Sequence, residues 1–427
     1  MIDLRRLRQD PEGSRASLLR RRDPSVAESL DALLGLDRER REILGRVEAL
    51  KAERNAASEE VARRKRAKES AEDLMARLKQ SGEEVKALDG RLREVEADLE
   101  SRALTLPNFP AEGLPDGDAV ANRVVRTWGV PPSFDFQPKP HWELASALGI
   151  LDLPAGAKLA GSGFVVFRGP GARLGRALAG FMLDLHGREH GYIEVATPYL
   201  VNRATLTGTG QLPKFEDDLY GVANDDLFLI PTAEVPVTNL HRDEILDAFD
   251  LPRGYVAHTP CFRREAGAHG KDTRGLIRVH QFDKVELVRF CRPEESDAEH
   301  VRMTGHAEAV LQRLEIPYRV VELAAGDTGF ASARTFDLEV WAAGVGAWLE
   351  ASSSSTFTDF QARRANIRFR PEPRAKPEFV HTLNASGVAF PRTIIALLEN
   401  NQAADGSVRV PEALVPYLGV ERLVPTA

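Results

Sequence analysis

Hydrophobic residues recur along the chain with two different spacings. From about residue 26 to residue 102 they fall every three or four residues, and no proline interrupts them. This heptad spacing predicts a coiled coil, and a break near residues 65–70 favours two antiparallel helices joined by a turn. The apolar positions are Leu33, Leu36, Ile43, Val47, Leu50, Ala57 and Val61, then Leu74, Leu78, Val85, Leu88, Leu92, Val95 and Leu99.

The pattern changes after residue 104. Three prolines and three acids fall within residues 104–118, and beyond them short alternating runs contain Gly, Val, Phe and Trp. Prolines end a helical pattern, and alternation is typical of strands. We therefore predict an N-terminal helical domain (1–104), a linker (105–118) and a globular domain (119–427).

The most informative alternation surrounds residues 261–288. Strands are predicted over 255–265 and 279–290, with a polar loop between them. Alternation would place Cys261, Arg263 and Glu265 on one face, and His280, Phe282, Lys284 and Glu286 on one face of the return strand. Arginine binds phosphate bidentately, and an aromatic face can stack on a base. This combination favours a phosphate or nucleotide site, and a solvated hairpin stays open as the alternative.

Composition indicates which classes of protein the chain can belong to. The chain is 43% hydrophobic and 28% charged, and it contains no apolar run of about 18 residues, so no membrane helix or membrane partner is predicted. The N-terminus lacks the apolar core of a signal peptide. Cys261 and Cys291 fit neither a disulfide framework nor a zinc site. We therefore expect a cytoplasmic protein without zinc.

The charge is unevenly distributed. The net charge is −7, yet residues 1–104 contain 24 Lys and Arg against 23 Asp and Glu. Any RNA contact should therefore be confined to a patch. One basic cluster lies at the break between the two helices, where a phosphate contact and a solvated helix face both stay open. The cluster consists of Arg63, Arg64, Lys65, Arg66 and Lys68.

Three further segments carry candidate chemistry. Thr232 and Glu234 follow an apolar strand, where they could contact a ligand or simply cap a helix. Glu350 and Ser353 offer hard oxygen ligands for magnesium, although their serine run is typical of a flexible loop. Residues 381–402 predict a strand, a turn at 384–387 and a helix. Arg392 at the start of that helix favours an anion site, with a solvent-facing arginine as the alternative.

Several of these segments also resemble one known family. Phe-Arg-x-Glu, a loop, and Thr-Arg-Gly-Leu-x-Arg-x-His-Gln-Phe-x-Lys-Val-Glu over residues 262–286 resemble motif 2 of the bacterial-type seryl-tRNA synthetases, a class II family. Residues 171–200 resemble motif 1, which forms a dimer interface, and residues 381–402 resemble motif 3. The resemblance implies an α+β fold in which an antiparallel sheet flanked by helices follows an N-terminal coiled-coil arm. Departures from the family pattern are Ala351, Ala385 and Pro391.

The resemblance also assigns residues. An implied ATP site comprises Arg263, Arg264, Glu265, Val279, Phe282, Glu350, Ala351, Ser352, Ser353 and Arg392. An implied serine site comprises Thr232, Ala233, Glu234, Arg263, Glu286, Asn384 and Ser386. Arg263 and Arg392 would be catalytic, Glu350 and Ser353 would bind Mg²⁺, and the basic cluster of the arm would contact tRNA.

The implied activity is that of a serine–tRNA ligase. Such an enzyme activates L-serine with ATP to seryl-adenylate and transfers serine to tRNA(Ser), with tRNA(Sec) as a further substrate to consider, and it acts as a homodimer. One alternative is a non-catalytic, synthetase-like tRNA-binding protein. The presence of Arg263, Glu286 and Arg392 argues against it. The other is an amino acid:carrier-protein ligase, whose family lacks the long arm.

Overall fold

A computed structural model describes residues 1–266 and 274–426, and it contains two compact units. The larger unit runs from Asn108 to the C-terminal end and also includes Met1 and Arg20–Arg22. The smaller unit comprises Ile2–Leu19 and Asp23–Pro107.

The smaller unit is helical. Its helices are α1 Leu4–Gln9, α2 Pro11–Leu19, α3 Ser25–Arg66 and α4 Glu72–Thr105. Ile43, Val47 and Val95 are buried between α3 and α4. Ion pairs join Arg40 to Glu96 and Arg46 to Glu84, so the residue numbers rise on one helix as they fall on the other. The predicted antiparallel coiled-coil arm is therefore confirmed.

The larger unit is built on an antiparallel sheet. Its eight strands, in the part of the chain that the structure describes, have the order β1-β10-β11-β12-β15-β9-β8-β4. Every neighbouring pair is antiparallel except β4 with β8. The strands of this sheet are β1 Arg123–Trp128, β4 Ile193–Glu194, β8 Arg253–Phe262, β9 Gln281–Cys291, β10 Tyr318–Glu322, β11 Arg334–Ala342, β12 Ala347–Thr358 and β15 His381–Ala389.

Smaller strands and helices surround this sheet. The strands are β2 Leu151–Asp152, β3 Val166–Phe167, β5 Leu200–Asn202, β6 Leu227–Leu229, β7 Ile245–Asp247, β13 Arg368–Arg370, β14 Glu378–Phe379, β16 Val408–Arg409 and β17 Arg422–Leu423. The helices are α5 His141–Ala147, α6 Leu153–Ala160, α7 Pro170–Asp184, α8 Arg203–Thr209, α9 Glu234–Thr238, α10 Ser296–Arg313, α11 Phe360–Ala365, α12 Phe390–Asn400 and α13 Val415–Leu418. Apolar faces of α7, α10 and α12 pack on the sheet in one core, which confirms the α+β prediction.

The predicted strand over 255–265 is too long. β8 ends at Phe262, and Glu265 has a positive φ of 53°, so Arg263 and Glu265 do not share a strand face with Cys261. His280 likewise precedes β9, although its carbonyl accepts a hydrogen bond from the Arg263 amide at 2.9 Å. The left-handed residue turns the chain away from the sheet. The loop predicted between these strands lies partly outside the described residues.

Two segments with loop-like sequences are strands. The serine run belongs to β12, although such runs are typical of flexible loops. Residues 384–387 lie inside β15 beside it, so the predicted turn is wrong. The hydroxyl groups find partners in the core: Ser354 accepts from Thr304 of α10 at 2.9 Å, and Ser352 donates to the Ser386 carbonyl of β15 at 2.6 Å. Satisfied hydroxyls can be buried at little cost.

Within residues 1–266 and 274–426, no helix is both long and apolar enough to cross a bilayer.

Candidate active site

A cavity of about 700 Å³ opens over the sheet. Side chains of β9, β12 and β15 line its floor, and the segment after β8 and the start of α12 line its sides. Polar side chains of both charges converge there on a partly apolar surface, as in ligand sites generally. Many residues assigned from the sequence line it: Thr232, Glu234, Arg263, Glu265, Val279, Phe282, Glu350, Ala351, Ser353, Asn384, Ser386 and Arg392.

One end of the cavity is cationic. The Arg263 guanidinium lies 5.2 Å from the centre of the Phe282 ring, and its Nε donates to the Pro231 carbonyl at 3.3 Å. Arg278 forms an ion pair with Glu265. These contacts hold the planar Arg263 guanidinium against the Phe282 ring, and both stacking and cation–π attraction stabilise that arrangement.

Arg392 reaches the same end from the first turn of α12. Its Nη1 donates to the Glu350 carbonyl at 2.6 Å and lies 3.4 Å from that residue's carboxylate. Its Nε donates to the carbonyl of Ile277 at 3.4 Å. A guanidinium at a helix N-terminus adds to the positive potential of the helix dipole, so this end of the cavity suits an anion.

A β-bulge explains why Glu350 and Ser353 line one cavity. In a regular strand, residues three apart point to opposite faces. Here Glu350 pairs with Glu339 and Ser352 pairs with Leu338, which leaves Ala351 as an extra residue. The bulge shifts the alternation and puts both candidate metal ligands on the cavity side.

The other end of the cavity contains buried acids. The Asn384 amide donates to the Glu234 carboxylate at 2.9 Å and to the Glu286 carboxylate at 3.0 Å. Lys284 forms an ion pair with Glu286 and donates to the Thr232 hydroxyl at 3.0 Å. At this acidic end, therefore, one amide joins two carboxylates, and Lys284 pairs with one of them.

Burial changes the proton affinity of these acids. Desolvation, with the neighbouring Glu286 carboxylate as the second cause, raises the pKa of Glu234 to about 7. Desolvation also raises the pKa of Glu286, while Lys284 acts in the opposite direction. Carboxylates with raised pKa values in a cavity are typical of ligand sites that receive a cation or a hydroxyl group.

Four assigned residues do not line the cavity. Ala233 is fully buried beneath it, Ser352 is bonded to the Ser386 carbonyl, and Glu286 is reached through Asn384 and Lys284. The Arg264 amide donates to the Asp218 carbonyl at 3.0 Å. Ala233, Arg264, Ser352 and Glu286 thus surround the cavity without forming its surface.

Three side chains of the site have no predicted role. Lys284 shares its predicted strand face with Glu286, and a lysine two residues before a glutamate in an apolar strand is a usable signal for their ion pair. Asp337 accepts from the Ser353 hydroxyl at 2.7 Å, and burial, followed by the Glu350 charge, raises its pKa well above the usual range. Gln361 donates to Glu234 at 2.6 Å. Neither Asp337 nor Gln361 stands in a pattern that could have shown it.

The basic cluster of the arm belongs to the smaller unit. Arg63, Arg64, Lys65 and Arg66 form the last turn of α3, and Lys68 has a positive φ of 59° in the turn that follows. Arg63 and Arg64 both pair with Glu60. Among the described residues, no ion pair includes Lys65, Arg66 or Lys68, and these three are exposed.

Comparisons with known proteins decide the family. Residues 1–110 match a family model described as the seryl-tRNA synthetase N-terminal domain, and residues 214–401 match the class II tRNA synthetase core domain (G, H, P, S and T). A serine–tRNA ligase of Gemmatimonas aurantiaca is 56% identical over 420 residues, which is 98% of this chain and 99% of the relative. This chain belongs to the seryl-tRNA synthetase family. It is therefore an ATP-dependent ligase that joins serine to tRNA.

Solved seryl-tRNA synthetases have the same fold. The enzyme of Pyrococcus horikoshii, solved with ATP, superimposes with a TM-score of 0.97 at 38% identity and covers 100% of both chains. The cytoplasmic enzyme of Naegleria fowleri, solved with AMP, gives 0.89 at 29% identity over 98% of this chain and 97% of its own.

Proposed function

We propose that the cavity activates serine, with ATP at its cationic end and the amino acid at its acidic end. The observation that carries this proposal is that Arg263 connects the two ends: its guanidinium lies over Phe282 at the cationic end, and its Nε donates to the carbonyl of Pro231, the residue before Thr232 of the acidic end. A cation at that point can bind the α-phosphate and the serine carboxylate together.

The first step joins these two ligands. An oxygen of the serine carboxylate attacks the α-phosphorus, and the bond from that phosphorus to the β-phosphate oxygen breaks to release pyrophosphate. Arg263 neutralises the charge at the α-phosphate, and Arg392 holds the γ-phosphate. Phe282 stacks on the adenine, while Arg264, Glu265, Val279, Ala351 and Ser352 complete the surroundings of the nucleotide.

The acidic end provides selectivity for serine. Thr232, Glu234, Asn384 and Ser386 supply donors and acceptors for the ammonium and hydroxyl groups. Glu286 acts from beneath the surface through Asn384 and Lys284, and Ala233 also lies beneath the surface. Because Glu234 and Glu286 are buried, a ligand without the hydroxyl would leave a polar group unpaired. A site built in this way rejects alanine.

Mg²⁺ fits the donor set near Glu350. Glu350 and Ser353 share the cavity side of β12, and Asp337 bonds to Ser353, so hard oxygen ligands converge there. Burial, followed by the Glu350 charge, raises the pKa of Asp337, and a divalent cation beside it would oppose that effect. When bound, the ion neutralises phosphate charge. We therefore propose Glu350 and Ser353 as its protein ligands.

The second step needs the arm. A terminal ribose hydroxyl of tRNA attacks the carbonyl carbon of seryl-adenylate, and AMP leaves. We propose that the helical domain (1–104) grips tRNA(Ser) through the phosphate backbone at Arg63, Arg64, Lys65, Arg66 and Lys68, with residues 105–118 as linker and 119–427 as catalytic domain. Charging of tRNA(Sec) and a cytoplasmic location stay predictions.

A homodimer is the assembly that we propose. Residues 171–200 contain α7 and β4, and Ile193, Tyr199 and Leu200 expose 53%, 47% and 43% of their surface. Exposed apolar side chains close together in the sequence are typical of a segment that another subunit covers, which supports the proposal.

Pyrophosphate exchange tests the proposed activation. With ATP, Mg²⁺ and radiolabelled pyrophosphate, serine should support exchange, whereas alanine, threonine and cysteine should be at least about 100-fold poorer in kcat/KM. Alanine lacks the hydroxyl, and threonine adds a methyl group to the acidic end. Exchange that is as fast with alanine as with serine would reject the assignment of the acidic end.

A further inference from the structure

A buried histidine–glutamate pair lies behind the cavity. His141, at the start of α5, and Glu399, near the end of α12, are both fully buried, and His141 Nδ1 lies 2.8 Å from Glu399 Oε1. Neither residue lines the cavity. Burying a carboxylate costs free energy unless hydrogen bonds satisfy both of its oxygens, so the partners of Glu399 must account for its burial.

Hydrogen bonds to both carboxylate oxygens of Glu399 offset that cost, and they join three parts of the fold. Its Oε1 accepts from the His141 amide at 2.8 Å as well as from the ring. Its Oε2 accepts from the amides of Gly344 at 2.8 Å and Val345 at 3.0 Å, in the turn between β11 and β12. The carboxylate therefore fixes the imidazole relative to α12 and to the sheet.

The other ring nitrogen of His141, Nε2, binds the segment that leads into β9. His141 Nε2 accepts a hydrogen bond from the Leu276 amide at 3.0 Å. An amide can only donate, so Nε2 carries no proton, and the ring proton lies on Nδ1 facing Glu399. Gly275 has a φ of +66°, and a Cβ there would lie 2.2 Å from Nε2, so the packing is close.

Neighbouring contacts also fix the segment around Leu276 in place. The Arg274 guanidinium lies 4.5 Å from the centre of the Trp142 ring. On the far side, Arg392 Nε donates to the Ile277 carbonyl. We call residues 274–279 the return segment. Residues of α12 thus hold it twice, directly through Arg392 and indirectly through Glu399 and His141.

The return segment forms one wall of the cationic end. Ile277, Arg278 and Val279 line the cavity beside Phe282, and Arg278 pairs with Glu265. The acidic end, by contrast, is built from α9, β9 and β15 and has no contact from this segment among the hydrogen bonds of the described residues. A shift of the segment should therefore change one end of the cavity and not the other.

We propose that His141, oriented by Glu399, is a positioning residue that sets the return segment against the nucleotide. It acts on ATP through the Leu276 amide and does not touch substrate. This inference rests on the proposed placement of ATP at the cationic end. The measurable consequence is selective: ATP affinity depends on His141, and serine affinity does not.

Two substitutions separate the ring nitrogens. In His141→Asn, the amide takes the place of Nδ1, so the bond to Glu399 stays and the acceptor for Leu276 is lost. In His141→Gln, the longer side chain returns an oxygen near Nε2. In serine-dependent pyrophosphate exchange, H141N should raise the KM for ATP about tenfold, with the KM for serine within about twofold, and H141Q should recover most of the loss.

His306→Asn is the matched control. His306 is a half-buried histidine whose Nδ1 lies 3.0 Å from the Tyr192 hydroxyl, and it does not line the cavity. H306N should leave the KM for ATP within about twofold of the wild-type value. Equal increases in both KM values for H141N, an unchanged KM for ATP, or H141Q no better than H141N would each overturn the proposal.

Two further measurements keep the test decisive. If H141N aggregates, Glu399→Gln replaces it, because that change keeps His141 and the side-chain shape but puts an NH2 donor where one oxygen now accepts, either from His141 or from Gly344 and Val345. The KM for ATP should again rise while the KM for serine stays constant, and an unchanged KM for ATP would overturn the proposal. A wild-type enzyme without serine-dependent exchange would instead refute the proposed function.

Discussion

Two cationic regions of this molecule hold their charges in opposite ways. In the cavity, Arg263 lies over Phe282 and donates to a carbonyl, and Arg392 contacts Glu350. At the end of the arm, Lys65 and Lys68 are exposed. Chemistry at one phosphorus atom needs a cation at a fixed point, whereas a phosphate backbone accepts mobile charges. The comparison implies that geometry matters in the cavity and that charge alone matters at the arm.

Arg263→Lys should therefore have the largest effect, because it keeps the charge and removes the planar fork. We expect the kcat/KM of pyrophosphate exchange to fall by about 10²–10³-fold. Arg253→Ala is the control, since Arg253 lies at the other end of β8, where it pairs with Asp250 at 3.2 Å. Near-normal exchange by R263K would show that the cavity needs only charge, and the comparison would fail.

The acids opposite Arg263 give a second prediction. The pKa of Glu234 rises to about 7 in the folded, ligand-free protein, against about 4.5 when unfolded. Between pH 4.5 and 7, the folded state therefore binds a proton at Glu234 that the unfolded state has lost. The stabilisation from this proton is complete below pH 4.5 and is lost as the pH rises through 7. Relative to Glu234→Gln, the free energy of unfolding should fall by about 3 kcal/mol across that window. Urea titrations at each pH measure it, and a parallel dependence in both proteins would contradict it.

The arm should respond to charge and not to shape. Lys65→Ala with Lys68→Ala should raise the KM for tRNA in charging about tenfold and leave pyrophosphate exchange unchanged, since two phosphate contacts are lost. Replacing both lysines by arginine should change little. Lys51→Ala with Arg54→Ala is the control, because these residues are exposed midway along α3. A loss with arginine as large as with alanine would show that the arm also needs fixed geometry.

The same contrast explains what the sequence can predict. The arm follows from local heptad spacing, and the ends of α3 and α4 lie close to the predicted break at 65–70. Alternation likewise placed Phe282, Lys284 and Glu286 together on β9. These patterns repeat within a few residues, so a window of sequence contains them.

The details of the site depend on distant partners instead. The serine run forms a strand because β11 and β15 pair with it, and the bulge at Ala351 exists only in that pairing. Glu399 meets His141 across 258 residues of chain. No local composition rule contains such contacts, which is why Asp337 and Gln361 were missed and why residues 384–387 resemble a turn.

Shortening the arm tests the central claim most directly. Residues 46–84 can be replaced by a short Gly-Ser turn at the level of the Arg46–Glu84 ion pair, which keeps Ile43 and Val95 in the coiled-coil core. If the cavity activates serine and the arm binds tRNA, exchange should stay within about twofold while the kcat/KM of charging falls at least about 100-fold. Charging at the wild-type rate, or exchange lost together with charging, would contradict that division.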